Sequence, residues 1–127
     1  MKIVSTPHLP EPAGHYSHAT SAAGLVFVSG QLPLRPPSME IPDGIEAQLI
    51  QAFTNVEHIL RAAGSSFANL VSVQIFIADV RLWPEVNRVY AAIMGPNKPA
   101  RAIVPVGTLH YGALVEICAV AEANHIE

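Results

Sequence analysis

Two ionisable residues stand where their charge is hardest to account for. Glu116 lies inside Leu114-Val115-Glu116-Ile117-Cys118-Ala119-Val120, and strand alternation puts it on the face it shares with Leu114, Cys118 and Val120. A carboxylate in such a run is costly unless it is paired or used. Two readings compete: a strand-edge residue reaching solvent or bonding a second subunit, and a functional carboxylate. Arg101 follows Lys98-Pro99-Ala100 and opens an apolar strand, so its guanidinium projects near a strand end. There it is either half of a surface salt bridge or part of a site.

His15, Tyr16 and His18 form a polar cluster after a turn at Gly14. The HxxH spacing raises a metal site, but no third ligand or underlying helix accompanies the pair, and hydrogen bonding in a loop or strand is the simpler reading. His110 and Tyr111 precede Gly112 in a loop and either join a pocket or serve as turn residues. His125 falls in the tail. The Cys118 thiol, among Ile117, Ala119 and Val120, reads as packing rather than as a nucleophile. No GxSxG, P-loop or dinucleotide glycine pattern occurs, so no nucleotide cofactor is indicated.

Positioning these groups requires a scaffold, which the hydrophobic periods outline. Seven of the 11 prolines precede Ile45, and the early chain reads as extended pieces at Lys2 to Ser5, Tyr16 to Thr20 and Gly24 to Gly30. Ser21 to Gly24 supplies a hairpin link. Pro33, Pro36 and Pro37 make the stretch to Asp43 a surface loop. Leu49, Phe53, Val56, Leu60 and Ala63 then mark one face of a helix starting at Ile45, with Asp43 to cap it and Gly64 to end it. Leu70 to Val80 alternates as a strand, and Val73, Ile75 and Ile77 share one face with Val71. Asp79 to Gly95 returns to helical spacing, with Pro84 in its first turn. Arg101 to Val106 and Leu114 to Ala121 are the last two strands. The order β-β-β-α-β-α-β-β predicts an α+β fold, a mixed sheet with two helices on one face and a second face that must also be covered.

Composition makes the same demand. The 127 residues form one domain, 1–127; half are hydrophobic and only 13% are charged, well below the usual quarter. Apolar surface left over at this size favours oligomerisation. The net charge is −3 and the cations are scattered, so neither a nucleic-acid partner nor a basic membrane-binding surface is expected. One cysteine excludes a disulfide framework and fits a reducing cytoplasm. No apolar run is long enough to span a membrane, and no signal core is present.

Several segments together carry a resemblance: Tyr16-Ser17-His18-Ala19, GLVFVSGQLPL from Gly24 to Leu34, NVEHILRAAGSS, VNRVY, KPARAIV and GALVEICAVA. From about Gly14 to Ala121 the chain resembles the RidA/YjgF/UK114 family of reactive-intermediate deaminases. The resemblance implies a chorismate-mutase-like α+β fold and a homotrimer whose sheets line a central barrel, with active sites in the clefts between subunits. It also implies hydrolytic deamination of 2-imino acids or their enamine tautomers to 2-keto acids and ammonia, with no cofactor and no metal. Arg101 matches the arginine that grips the substrate carboxylate, and Glu116 the carboxylate that orients or deprotonates water. Tyr16 matches a tyrosine reaching the cleft, while Ser29, Gly30 and Asn87 match residues lining it. At Ile103 only the backbone N–H carries over. Departures from the family pattern are His15, His18, Ala102, the Leu109-His110 pair and Cys118. The alternative is a non-catalytic binder of small carboxylates using the same cleft. Ribonuclease activity, attached to some relatives, finds no basic surface here. If the last two strands are neighbours, Arg101 and Glu116 converge from adjacent backbones.

Overall fold

Apolar residues on one side of each element decide how the chain collapses. The computed structural model describes residues 1–123; His125 lies outside them. The elements are β1 (Lys2–Val4), β2 (Ala19–Ala22), β3 (Leu25–Gln31), α1 (Ile45–Ala62), β4 (Leu70–Ile77), α2 (Trp83–Met94), β5 (Ala100–Pro105) and β6 (Val115–Glu122). This is the order read from the hydrophobic periods. Helix α1 buries Leu49, Ala52, Phe53, Val56, Ile59 and Leu60, a stripe against the sheet. Gly64 ends it at φ 76, and the Ser65 N–H reaches back to the Leu60 carbonyl at 2.8 Å.

Three local expectations fail for identifiable reasons. Val71, expected on the face of Val73, is exposed because the β4–β6 register shifts between Leu70 and Ser72. Asp43 does not cap α1; the N-cap is Gly44 at φ 86, with no side-chain cap bond. The left-handed turn at Gly44 leaves Asp43 one residue outside the capping position. The second extended piece begins at Ala19 rather than Tyr16, because a turn at Gly14, closed by the Tyr16 N–H to Gly14 carbonyl bond, keeps Tyr16 off the ladder.

The sheet order is β1-β2-β3-β6-β4-β5. Ala23 and Gly24, at φ 54 and 78, close the β2–β3 hairpin with two consecutive left-handed residues, the geometry that matches strand twist. Only β4 and β5 run parallel, joined over one face by α2 as such a crossover requires. The final strands are therefore not neighbours: the α2 crossover sets β5 beside β4, and β6 inserts between β3 and β4. Val26, Val28, Val73, Ile75, Ile77, Val115 and Ile117 meet both helices in one core. Among the described residues no helix covers the opposite face. It presents Phe27 and Val104, 42% and 36% exposed, beside Phe76, Glu116, Cys118 and Val120 of the same alternation.

Candidate active site

Glu116 pairs in register with Phe76 and points away from the helices. Across from it, Val28 faces Ala119 but Gln31 faces Ile117, so β3 carries an extra residue at Ser29-Gly30. This bulge re-aims the strand and brings Gly30 under the carboxylate. A Cβ on Gly30 would lie 2.5 Å from Glu116 Oε2 and 3.2 Å from its Cδ. Glycine is needed here for close approach rather than for backbone freedom, since Gly30 is not among the glycines with positive φ. Among the described residues Glu116 has no hydrogen-bond or ion-pair partner.

The bulge is tied to the loop that carries Tyr16. Ser29 Oγ donates to the Ser17 carbonyl at 2.7 Å, and the Ser29 N–H donates to the His18 carbonyl at 3.0 Å. His18 is buried and uses both ring nitrogens. The Thr6 N–H donates to Nδ1 at 3.2 Å, which leaves the ring proton on Nε2, donated to the Pro10 carbonyl at 2.8 Å. His18 is thus a clasp holding the segment from Thr6 to Pro10 against the sheet. His15 is exposed and does not line the cleft; His110 and Tyr111 do. Tyr16, Ser29, Gly30, His110, Tyr111 and Glu116 border one cleft of about 1300 Å³.

Two supports went unread in the sequence. Asn55, buried on α1, donates through Nδ2 to the Leu32 and Leu34 carbonyls at 3.1 and 3.0 Å. Gln48 Oε1 accepts from the Leu114 N–H at 2.8 Å, fixing the entrance to β6. Both are amides on the helix face that carries Leu49 and Phe53, and polar residues within an apolar stripe were the available signal.

Arg101 belongs to a different place. It pairs with Val73, and Ile103 pairs with Ile75, so both side chains lie on the helix side of edge strand β5. Arg101 Nη1 donates to Asn87 Oδ1 at 2.7 Å, and its Cζ lies 5.0 Å from the Tyr90 ring centroid and 5.7 Å from that of Trp83. Two aromatic faces and one amide hold the guanidinium. Burial pushes the Tyr90 phenol up, against the opposing effect of the Arg101 charge. No described carboxylate pairs with Arg101; the arginine ion pairs among the described residues are those of Arg61, Arg81 and Arg88. The Val106 N–H to Ile77 carbonyl bond assigns the even-numbered residues' N–H groups to β4 and, by alternation, turns the Ile103 N–H to the open edge. The guanidinium and this N–H both stand at the β5 edge, and both are donors of the kind a carboxylate accepts from.

The candidate residues therefore fall into two groups. Asn87, Arg101 and Ile103 gather at the β5 edge on the helix side; Tyr16, Ser29, Gly30 and Glu116 gather in the cleft on the other. Glu116 is level with Phe76 and Arg101 with Val73, three residues and two strands apart, roughly 14 Å between backbones. The expectation that adjacent strands bring Arg101 and Glu116 together is corrected, because β4 intervenes and the two alternations are opposite.

Comparison with known proteins gives a consistent relationship. The family model described as Endoribonuclease L-PSP matches residues 6–123. A RutC family protein of Aquifex aeolicus is 39% identical over 95% of this chain and 98% of its own. The 2-iminobutanoate/2-iminopropanoate deaminase of Bos taurus is also 39% identical, covering 94% of this chain and 88% of its own. Among solved structures, E. coli TdcF with bound serine superposes with TM-score 0.91 at 31% identity, covering 98% of this chain and all of its own. The YjgF gene product of E. coli superposes with TM-score 0.90 at 30% identity, covering 96% and 98%. A match that runs from residue 6 through the last strand, with every candidate residue inside it, shows that this chain belongs to the endoribonuclease L-PSP family, the RidA/YjgF/UK114 family its motifs resemble.

Proposed function

We propose that the protein is an imine deaminase that hydrolyses 2-imino acids, or their enamine tautomers, to 2-keto acids and ammonia. Its site is completed between copies of the chain in a homotrimer. The observation that carries this reading is the unpaired Glu116 carboxylate set over Gly30 in an open cleft. A carboxylate with no partner among the described residues is available to a water. The Arg101 guanidinium and the Ile103 N–H of a neighbouring copy would receive the substrate carboxylate, and Asn87, Tyr90 and Trp83 hold that guanidinium in place. Packing the bare sheet face of each copy against its neighbours covers Phe27 and Val104 and brings the β5 edge to the cleft.

The chemistry balances with these groups alone. Water adds through oxygen to the C=N carbon while Glu116 accepts its proton. Glu116 passes that proton to the imine nitrogen, giving a tetrahedral carbinolamine. Glu116 then takes the carbinolamine hydroxyl proton and delivers it to nitrogen as the carbon–nitrogen bond breaks and the C=O bond forms, so ammonia leaves behind a 2-keto acid. No electron is exchanged with an outside acceptor, so no redox cofactor is required. Such imines also hydrolyse unaided, and positioning of the water and the carboxylate supplies the acceleration.

The test generates imino acids in place with an amino-acid oxidase or a threonine dehydratase and traps unreacted imine with semicarbazide. The protein is expected to lower the semicarbazone yield in a dose-dependent way, and Arg101→Ala to abolish the effect at low substrate. Binding of 2-keto acids with an undiminished semicarbazone yield would instead identify a non-catalytic carboxylate binder.

A further inference from the structure

The reaction above assigns positions to the substrate's carboxylate and imine carbon but none to its side chain. The wall of the Glu116 cleft offers one. In the 3-10 turn His110–Gly112 the His110 and Tyr111 rings stack with centroids 3.7 Å apart and planes within 7°. Both residues are exposed, Tyr111 at 61%, and both line the cleft with Glu116. Tyr111 holds φ 62 and ψ 16, a left-handed conformation unfavourable for a bulky residue. The turn is fixed from both ends: the Gly112 N–H bonds the Leu109 carbonyl and the Ala113 N–H the His110 carbonyl, both at 3.2 Å, while Gln48 holds the Leu114 N–H. A strained backbone thus keeps a large ring in the open, where burial does not offset the strain. Each ring covers one face of the other and leaves its outer face free. Leu32, Leu34, Met39 and Ile41 line the same cleft and add apolar surface to the two rings.

We propose that the His110–Tyr111 pair is a specificity wall for the substrate side chain and that the preferred substrates are 2-imino acids with a flat conjugated side chain, above all an aryl ring. The proposal rests on the imine-hydrolysis reading. The enamine tautomer of an aryl imino acid is conjugated from the ring through to C2 and is therefore planar, which lets the ring stack while C2 stays by the acid. A methyl side chain gains nothing from the pair.

The experiment compares imino acids made in place from phenylalanine and alanine, using wild type, Tyr111→Gly, His110→Ala and Tyr111→Phe. Glycine accepts the positive φ, so Tyr111→Gly removes the ring without forcing the turn. It is expected to lower kcat/KM about 3- to 10-fold on the phenyl substrate and to leave the methyl substrate within about twofold. Tyr111→Phe should keep the phenyl preference. Equal losses on both substrates overturn the proposal. Calorimetry with phenylpyruvate and pyruvate reads the wall without turnover. A phenylpyruvate preference erased by Tyr111→Gly supports it, and the lack of such a preference in wild type overturns it. If wild type turns over no imine yet keeps the phenylpyruvate preference, the deaminase reading falls and the wall stands.

Discussion

Mixing two inactive variants separates a shared site from a self-contained one. C1 and C2 of an imino acid are bonded neighbours, whereas Arg101 and Glu116 of one chain lie roughly 14 Å apart along the sheet and project from opposite faces. One chain cannot engage both ends of a substrate. Arg101→Ala removes a charge-assisted anchor worth about 2–4 kcal/mol, or roughly 30- to 900-fold in kcat/KM. Glu116→Gln keeps the size but removes the base, and should lower kcat more than affinity. In a cyclic assembly each site takes the Arg101 half from one subunit and the Glu116 half from the next. After equal co-refolding of the two variants, a site is whole only when the first subunit is Glu116→Gln and the second Arg101→Ala. Two even chances multiply to about a quarter of wild-type activity. The control mixes wild type with the double variant: a shared site again leaves about a quarter of the sites intact, and a self-contained site about half. Semicarbazide competition measures both mixtures. Recovery no greater than that of the separate variants, or a control at one half, would refute the two-subunit site.

Two further outcomes follow from the Glu116 surroundings. Gly30→Ala should place its Cβ against Glu116 Oε2 and push the flexible carboxylate aside. Thermal unfolding should barely change, while kcat falls on the order of 100-fold, as for other displacements of about 1 Å; an unchanged kcat would show that the carboxylate's place is unimportant. Burial pushes the Cys118 thiol up, and the Glu116 charge on the same face pushes it further. Removing that charge with Glu116→Gln favours the thiolate, so the Cys118 midpoint should move down in an ultraviolet titration; an unmoved midpoint would deny their electrostatic contact.

Much of the fold could be read from period and punctuation. The stripe from Leu49 to Leu60 and the alternation at Val73, Ile75 and Ile77 are large apolar signals, and burial of those residues dictates which face turns inward. The left-handed positions at Gly24, Gly64 and Gly95 are stated by residue type. Strand order is not stated that way. The insertion of β6 between β3 and β4 is a pairing over long sequence separations, and no local residue records it. Capping at Gly44 escaped for a related reason: an aspartate beside the helix start is a good cap only if the backbone leaves it at the right position.

The same distinction explains why the arrangement of the candidate residues could not be read. Parity along a strand is local, so Glu116 falls with Cys118, and Arg101 with Ile103, from the sequence alone. Parity between strands depends on register, and the register across β4 sets Glu116 level with Phe76 but Arg101 level with buried Val73. The acid therefore faces the uncovered side of the sheet and the guanidinium the helical side. Among its described residues a single copy leaves three needs unmet: a carboxylate with no cation, a guanidinium with no anion, and an apolar sheet face with no cover. In the proposed homotrimer, packing copies around a common axis would answer all three by bringing the edge of one sheet to the cleft of another. The low charge content favours such packing, and the opposed parities would give it a catalytic reason.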